Sequence, residues 1–137
     1  MRIWSVIGRA CAVAALAITS TLTLANVATA ADPIRIGFSM ALTGGVAPIG
    51  KQVLTALQIW RDDVNAKGGL LGRPVELVFY DDQSNPANVP GIYTKLIDVD
   101  KVDLLIGPYA TNMVAPAIPV LMQNKKTTIG ILANAAN

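Results

Sequence analysis

Apolar and polar residues follow two different periods along this chain. Four short apolar runs predict buried β-strands, at residues 33–40, 75–81, 102–107 and 127–132. Between them, three segments repeat apolar residues at helical spacing. These residues are Val53, Leu54, Leu57, Trp60 and Val64 in the first segment, Val89, Ile92, Tyr93, Leu96 and Ile97 in the second, and Val114, Ala117, Ile118, Leu121 and Met122 in the third. Strands that alternate with helices predict an α/β fold, an open doubly wound parallel sheet covered on both faces.

Glycine and proline indicate where the first two helices begin and end. The helical pattern of the first starts at Lys51, and Lys67 followed by two glycines is typical of its end. The second helix is expected to begin near Asn88, because Pro90 is best tolerated in a first turn, where its missing N–H has no helical partner.

The first thirty residues have the pattern of a secretory signal peptide. Arg2 and Arg9 form a basic start without acidic residues, and an uncharged Ala/Leu-rich stretch follows. Ala28 and Ala30 then place small residues where a signal peptidase cleaves. We therefore expect residues 1–30 to be removed near Ala30. The alternative, a membrane anchor, is disfavoured because the Ala/Thr-rich stretch is weakly apolar.

The remaining segment, residues 31–137, has a balanced charge. Without Arg2 and Arg9, the eleven basic residues fall to nine, against nine acidic ones. Such a segment lacks the basic footprint that nucleic acid or an anionic membrane requires. It also contains no histidine, and the only cysteine, Cys11, lies in the leader. A disulfide, a Cys/His zinc site and lipid attachment after the apolar stretch are therefore not expected.

The stretch GGVAPIGKQ, residues 44–52, is close to a phosphate-binding loop. Gly45, Gly50 and Lys51 match the G-x-x-x-x-G-K pattern between a strand and a helix. Gln52 follows, however, where that loop needs a Ser or Thr hydroxyl to hold Mg²⁺. The alternative is a sharp strand-to-helix turn in which Lys51 is solvated on the first helical turn, and the exported leader favours it.

A serine motif and two pairs of adjacent aspartates are further candidates for catalytic or metal-binding groups. Ser39 lies in a degraded G-x-S-x-G elbow, but no histidine is present to act as its base, so an ordinary strand residue is expected. Asp81 and Asp82 are strand neighbours and point to opposite faces, so they are poorly placed to share a proton or a metal. A structural role for Asp82, such as capping the next turn, is expected. Asp62 and Asp63 are expected to be solvated.

The stretch LLIGPYATN, residues 104–112, joins a buried strand to small polar residues. Ligands of open parallel sheets bind beyond the carboxyl ends of the strands. The Thr111 hydroxyl and the first amides of the next helix are placed to hold a carboxylate there. Helix capping by Thr111 or Asn112 is the alternative. A further alternative is that Pro116 and Pro119 delay the helix start, which would make Thr111 part of a loop.

Four blocks of the sequence resemble one family. They are IRIGFSMALTGGVAPIGKQ (34–52), DDVNAKGGLLGRPVELVFYDDQSNP (62–86), VDLLIGPYATN (102–112) and TIGILANAAN (128–137). The chain resembles the periplasmic substrate-binding proteins of ABC importers of the branched-chain amino acid (leucine/isoleucine/valine) type, and the second block is the most specific. The resemblance implies a type 1 periplasmic binding protein fold, no catalysis, no cofactor, and delivery of a small ligand to a membrane permease.

The same resemblance implies which residues bind the ligand. Thr111 matches the hydroxyl that binds the ligand α-carboxylate, and Tyr109 matches a neighbour with backbone contacts. Ala110 and Asn112 complete this candidate segment.

Three further positions depart from the family pattern or extend it. Asn134 stands where a threonine is frequent, with Leu132 two residues earlier, and Ile49 stands where an aromatic residue is frequent. These departures leave branched-chain amino acids, amides, urea-like compounds and aromatic acids open as ligands.

The resemblance also implies a longer protein. Family members have two α/β lobes joined by a hinge, so residues 31–137 are expected to be part of an N-terminal lobe whose partner lobe is absent. One side of the last strand would then be left uncovered. A periplasmic location follows from the leader. A ligand-sensing module of the same fold, reporting to a receptor, remains the alternative to transport, and a nucleotide-using enzyme is a third.

Overall fold

The computed structural model describes residues 31–131, and they form four strands and three α-helices in strict alternation. The elements are β1 (Ile34–Met40), α1 (Ala47–Ala66), β2 (Val75–Asp81), a 3₁₀ turn (Pro86–Asn88), α2 (Val89–Asp98), β3 (Leu104–Tyr109), α3 (Thr111–Gln123) and β4 (Thr128–Ile131). None of the helices in this part of the chain combines the length and apolar character that a membrane span requires. The predicted leader, with Ala28 and Ala30, lies outside the described residues.

The strands form one parallel sheet in the order β2-β1-β3-β4. β1 pairs with β2 over its whole length, from Ile34 opposite Val75 to Met40 opposite Asp81. β3 pairs with the other side of β1, with Ile36 opposite Leu104, and β4 pairs with β3. The predicted α/β fold with a parallel sheet is therefore confirmed. All four carboxyl ends lie at the same edge, which we call the carboxyl edge.

The first helix begins four residues earlier than the periodicity predicted. It starts at Ala47 and not at Lys51, with Pro48 in its first turn, where the missing N–H costs no helical hydrogen bond. The helix start is seated directly on the end of β1. A Cβ added to Gly50 would lie only 2.0 Å from the Ala41 carbonyl oxygen. Only glycine allows this approach, so Gly50 serves packing.

The third helix starts at Thr111, so the alternative in which its prolines delay it is wrong. The amides of Met113 and Val114 donate to the Ala110 carbonyl at 3.0 and 3.1 Å and close the first turn before either proline is reached. Pro116 and Pro119 lie inside the helix and each removes one later hydrogen bond without preventing its start.

Strand β3 is also displaced from its predicted range, by two residues, to Leu104–Tyr109. Val102 is buried, as its apolar character suggested, but it belongs to the connection after α2. Its amide donates to the Leu96 carbonyl at 3.1 Å, which holds it against the helix instead of the sheet.

The two faces of the sheet are covered unequally. Between the sheet and α2 and α3 lies one continuous core, formed by Val89, Tyr93, Leu96, Val102, Leu105, Met113, Ala117 and Leu121. On the other face, α1 buries only Gly50, although its predicted apolar side faces the sheet. There Leu104 is 52% and Ile129 72% exposed, beside a cavity of about 500 Å³ that Trp60 also lines. The expectation that both faces are covered is therefore wrong for β3 and β4 within residues 31–131.

The most specific sequence block has a structural role at the opposite, amino edge of the sheet. The Asn65 side chain bonds the backbone of Val75 twice: its Nδ2 donates to the carbonyl at 2.9 Å, and its Oδ1 accepts from the amide at 2.7 Å. A Cβ on Gly69 would lie 2.0 Å from the Arg73 carbonyl oxygen, so the turn into β2 requires glycine there. This block fixes where β2 begins.

Candidate functional site

The predicted ligand-binding residues within the described part gather at the carboxyl edge. Ile49 lies in the first turn of α1 and is 45% exposed. Tyr109 ends β3, Ala110 links it to α3, and Thr111 and Asn112 are exposed in the first turn of that helix. β1 and β3 are neighbours in the sheet, so the connections that follow them lie side by side.

Ala110 has an unusual backbone conformation that decides how α3 begins. Its φ and ψ are 81° and 146°, a region that side-chain-bearing residues rarely adopt. Ala110 occupies the N-cap position, so the alternative in which Thr111 or Asn112 is the N-cap residue is wrong. The first turn also contains no acidic residue. The positive end of the helix dipole therefore meets the carboxyl edge without a carboxylate of its own first turn.

Two predicted positions cannot be compared with the structure. Leu132 and Asn134 follow β4 and lie outside the described residues. The described part of β4 ends at Ile131, which pairs with Tyr109 across a shift in register.

The glycine-rich stretch is not arranged to cradle a phosphate. The carboxylate of Asp81 already accepts hydrogen bonds from the amides of Leu42 and Thr43, at 2.9 and 3.2 Å, and from the Thr43 hydroxyl at 2.6 Å. A bound phosphate would have to compete with that negative charge. Lys51 is exposed in α1 and is not part of the turn itself. The structure supports the alternative, a tight strand-to-helix turn.

The carboxyl group of Asp81 is more acidic than that of an ordinary aspartate. Burial alone would raise its pKa, but hydrogen bonds from the Thr43 hydroxyl and from the amides of Gln83, Leu42 and Thr43 outweigh it. The pKa of Asp81 therefore lies below its ordinary value. The group is ionised whenever the protein is near neutral pH.

The turn after β2 packs against the loop after β1. The Ser84 hydroxyl donates to the Thr43 carbonyl at 2.7 Å and accepts from the Val46 amide at 3.2 Å. Gly44 has a φ of 85°, and a Cβ there would lie 2.6 Å from the Gln83 carbonyl oxygen. The two loops are thus locked together as one unit.

Asp82 and Ser39 form a buried polar pair on the α2 side of the sheet. The Ser39 hydroxyl donates to Asp82 Oδ2 at 3.0 Å, and the Ser84 amide donates to Oδ1 at 3.0 Å. Burial raises the pKa of Asp82, although these hydrogen bonds partly oppose the shift. The structural roles predicted for both residues are confirmed, including the cap that Asp82 provides to the following turn.

The remaining acid pair is solvated, as predicted. Asp62 and Asp63 are exposed, and they pair with Arg61 at 2.7 Å and Lys67 at 2.6 Å. Within residues 31–131, no three Asp, Glu, His or Cys side chains come together as metal ligands would.

The contact between Asp81 and Thr43 is a feature of the carboxyl edge that the sequence analysis did not predict. A signal for it exists: β1 and β2 are adjacent, and Asp81 is the last residue of β2, opposite Met40 at the end of β1. An acid at that position meets the first amides of the neighbouring loop. Finding it required knowing which strands are neighbours.

Several known proteins are similar to this chain in sequence. The family model described as "Periplasmic binding protein" matches residues 33–137. The Leu/Ile/Val-binding protein BraC3 of Rhizobium johnstonii is 35% identical over 109 residues, which cover 78% of this chain and 29% of that protein. The chain therefore spans less than a third of the length of this relative.

Solved structures give the same result. The branched-chain amino acid transporter substrate-binding protein LivJ of Streptococcus pneumoniae, in complex with isoleucine, superposes with a TM-score of 0.73 at 27% identity over 77% of this chain and 30% of that one. A solute-binding protein of an ABC transporter from Rhodopseudomonas palustris BisB5, in complex with 3,4-dihydroxybenzoic acid, gives 0.67 at 28% identity over 75% and 28%.

These relatives are binding proteins of transporters, and the resemblance predicted from the four sequence blocks is confirmed. Their fold has the same parallel sheet, and the family match extends over both the β1–α1 turn and the start of α3. This chain belongs to the periplasmic binding protein family, as a relative of the branched-chain amino acid binding proteins of ABC importers.

Proposed function

We propose that this chain is part of the extracytoplasmic solute-binding component of an ABC importer, which captures an amino acid or a related small carboxylate or amide. The component binds its solute without chemical change and delivers it to a permease in the inner membrane. The observation that carries the proposal is the single-residue link at Ala110, which starts α3 directly after β3 at the carboxyl edge of the sheet.

The amino end of α3 is suited to a carboxylate. Helix amides and the helix dipole stabilise negative charge, and no acidic residue of the first turn competes for that position. The Thr111 hydroxyl and the amides around Asn112 are proposed to bind the carboxylate, with backbone contacts from Tyr109 and Ala110.

The side chain of the solute is proposed to meet apolar groups of the neighbouring loop. Ile49 and Val46 are exposed at the start of α1, 45% and 36% respectively. Leu132 and Asn134, which follow β4 in sequence, are proposed to contribute from the other side.

The rest of the site is proposed to come from a second lobe. The chain spans 29% of one relative and 30% of one solved neighbour, so residues 31–137 are proposed to be part of an N-terminal lobe. Residues 1–30 are proposed to direct export to the periplasm and to be cleaved near Ala30. Experiments on binding therefore use the full-length protein that carries this chain.

The chemistry of the two liganded neighbours narrows the solute class. One was solved with isoleucine and the other with 3,4-dihydroxybenzoic acid. Both ligands carry a carboxylate and differ in everything else. The carboxylate is the shared group that the amino end of α3 would recognise, and the residue at position 49 would influence which side chain fits.

Calorimetric titration of the full-length protein tests the proposal. Isoleucine and 3,4-dihydroxybenzoate serve as probes, with isoleucinamide and catechol as matched compounds that lack the carboxylate. We expect one carboxylate to bind and its matched compound to bind at least about tenfold more weakly, because a charge-assisted hydrogen bond is lost.

A variant pair locates the binding group. Thr111→Val removes the proposed hydroxyl and is expected to weaken binding about tenfold. Thr94→Val removes a hydroxyl of α2 that donates to the Pro90 carbonyl, and should leave affinity unchanged. Equal affinities for wild type and Thr111→Val would contradict the assignment, and no binding of either carboxylate would contradict the function.

A further inference from the structure

The side chain at the end of the neighbouring strand, Asp81, bonds the loop between β1 and α1, in addition to the bonds that Ser84 makes with the same loop. Asp81 accepts four hydrogen bonds through its carboxylate. The donors are the Leu42 amide (2.9 Å), the Thr43 amide (3.2 Å), the Thr43 hydroxyl (2.6 Å) and the Gln83 amide (2.8 Å). Three of the four come from a loop about 40 residues earlier in the chain, so the carboxylate joins two loops.

The carboxylate replaces interactions that the loop cannot make within itself. Leu42 and Thr43 leave the sheet after β1, and their amides have no further strand partner at that point. An ionised carboxylate satisfies both at once, and charge-assisted hydrogen bonds of this kind are stronger than neutral ones. Asp81 therefore fixes the loop at the point where it leaves the sheet.

The loop continues directly into the apolar part of the proposed site. After Thr43, the chain passes Val46 and enters α1 at Ala47, and Ile49 lies in the first turn. The segment between has little freedom, because the Val46 amide donates to the Ser84 hydroxyl at 3.2 Å and Gly50 is seated on Ala41. The same Ser84 hydroxyl donates to the Thr43 carbonyl at 2.7 Å, so a displacement of Thr43 would reach Val46 through Ser84 and, from there, Ile49 at the start of α1.

From these contacts we propose that Asp81 is a positioning residue for solute binding. Its carboxylate holds the β1–α1 loop through Thr43, and so sets where Val46 and Ile49 meet the solute. Asp81 itself does not touch the solute. The inference rests on the proposed function and adds to it a residue on which ligand affinity depends indirectly.

Two variants of the full-length protein test the contact from both sides. Asp81→Asn keeps the side-chain size but removes the charge, and Thr43→Val removes the hydroxyl. Each is expected to weaken binding of the carboxylate that wild type binds, isoleucine or 3,4-dihydroxybenzoate, by about tenfold at a temperature well below unfolding. The double variant should bind no more weakly than the worse single one, because both changes break the same contact.

Conservative and distant controls separate positioning from general damage. Thr43→Ser keeps the hydroxyl and should retain wild-type affinity. Asp98→Asn removes an exposed carboxylate at the other end of the domain, in the last turn of α2, and should bind as wild type does. Circular dichroism confirms that each variant is folded at the titration temperature.

A purely structural Asp81 gives a different result. Melting temperatures of Asp81→Asn and Thr43→Val would fall while the dissociation constants stayed within twofold of wild type, and that outcome overturns the inference. Equal weakening by Thr43→Ser and Thr43→Val would also overturn it. If wild type binds neither carboxylate, the proposed function fails first, and this inference falls with it.

Discussion

The carboxyl edge of the sheet has two halves whose strand-to-helix connections are built differently. In the half formed by β1 and β2, the protein supplies its own carboxylate, because Asp81 accepts from the amides of Leu42 and Thr43. In the half formed by β3 and β4, the single residue Ala110 joins strand to helix, and α3 begins, as α1 does, without an acidic residue in its first turn.

The difference suggests a division of labour. The first half is built as a rigid support, with its polar groups paired internally. In the second half, by our proposal, the amino end of α3 binds the carboxylate of an external solute, whereas in the first half Asp81 bonds the amides of the loop before α1. The same chemistry thus serves structure at one loop and, by our proposal, recognition at the next.

The largest effect is expected from a substitution that disturbs the half formed by β1 and β2. Gly50→Ala would place a Cβ 2.0 Å from the Ala41 carbonyl oxygen, and the start of α1 would have to move. We expect a loss of about 3 kcal/mol or more in the free energy of unfolding, measured by urea denaturation. Gly45→Ala is the matched control, since nothing lies within 4 Å of its added Cβ; it should change stability by less than about 0.5 kcal/mol.

The next prediction makes the two halves alike. Asn112→Asp puts a carboxylate into the first turn of α3, where the dipole favours it by about 0.3–1 kcal/mol. Thermal stability should rise slightly, whereas calorimetry should show binding of a carboxylate solute at least about tenfold weaker, through charge repulsion. If thermal stability and affinity both fell, the amino end of α3 would have only a structural role. The two halves of the carboxyl edge would then not differ in function.

A smaller effect concerns the strained link in the second half. Ala110 has a φ of 81°, which glycine adopts at little cost. Ala110→Gly should therefore stabilise the fold by about 1 kcal/mol, after the greater chain entropy of glycine is subtracted. Urea denaturation measures the gain. Destabilisation would mean that the alanine methyl group contributes packing that outweighs the strain.

The smallest effects distinguish the two neighbouring acids by pH. The pKa of Asp81 is lowered, so its stabilisation is present above the ordinary value of 3.8 and is lost as pH falls through the folded-state pKa. The pKa of Asp82 is raised, so its contribution is present below 3.8 and is lost as pH rises through the folded-state pKa. The buried Tyr93 hydroxyl nearby stays protonated, because burial raises its pKa.

Urea denaturation at several values between pH 3 and pH 7 measures how the free energy of unfolding of each variant depends on pH. The Asp81→Asn variant should be less stable than wild type at pH 7, with the gap closing as pH falls. The free energy of unfolding of Asp82→Asn should rise relative to that of wild type as pH increases above 3.8, the ordinary pKa of an aspartate. Parallel curves for the two variants would contradict the opposite environments of these carboxylates.

Much of the fold follows from the sequence because its signals are local. The range of β2 was predicted without error, and the start of α2 was placed within one residue by Pro90. The start of α1 was missed because its apolar helical spacing begins only at Val53; Pro48 is favourable in a first turn, but Gly50 lacks helical propensity and its place depends on the seat that Ala41 provides.

The place of the candidate residues at the carboxyl edge was predictable from the sequence, but the contacts and backbone conformation found there were not. Strand ends and small polar residues indicated the carboxyl edge, and Thr111 lies there as expected. The link between Asp81 and Thr43 depends on which strands are adjacent, and the start of α3 depends on a backbone conformation that alanine seldom adopts. Neither is a property of local sequence.

One measurement tests the central claim most directly: a crystal structure of the full-length protein with its bound carboxylate solute. We predict that the solute carboxylate lies within hydrogen-bond distance of the Thr111 hydroxyl and the first amides of α3, while Asp81 remains bonded to Thr43. A solute bound away from the amino end of α3, or a carboxylate that pairs with a cationic side chain elsewhere, would contradict the account.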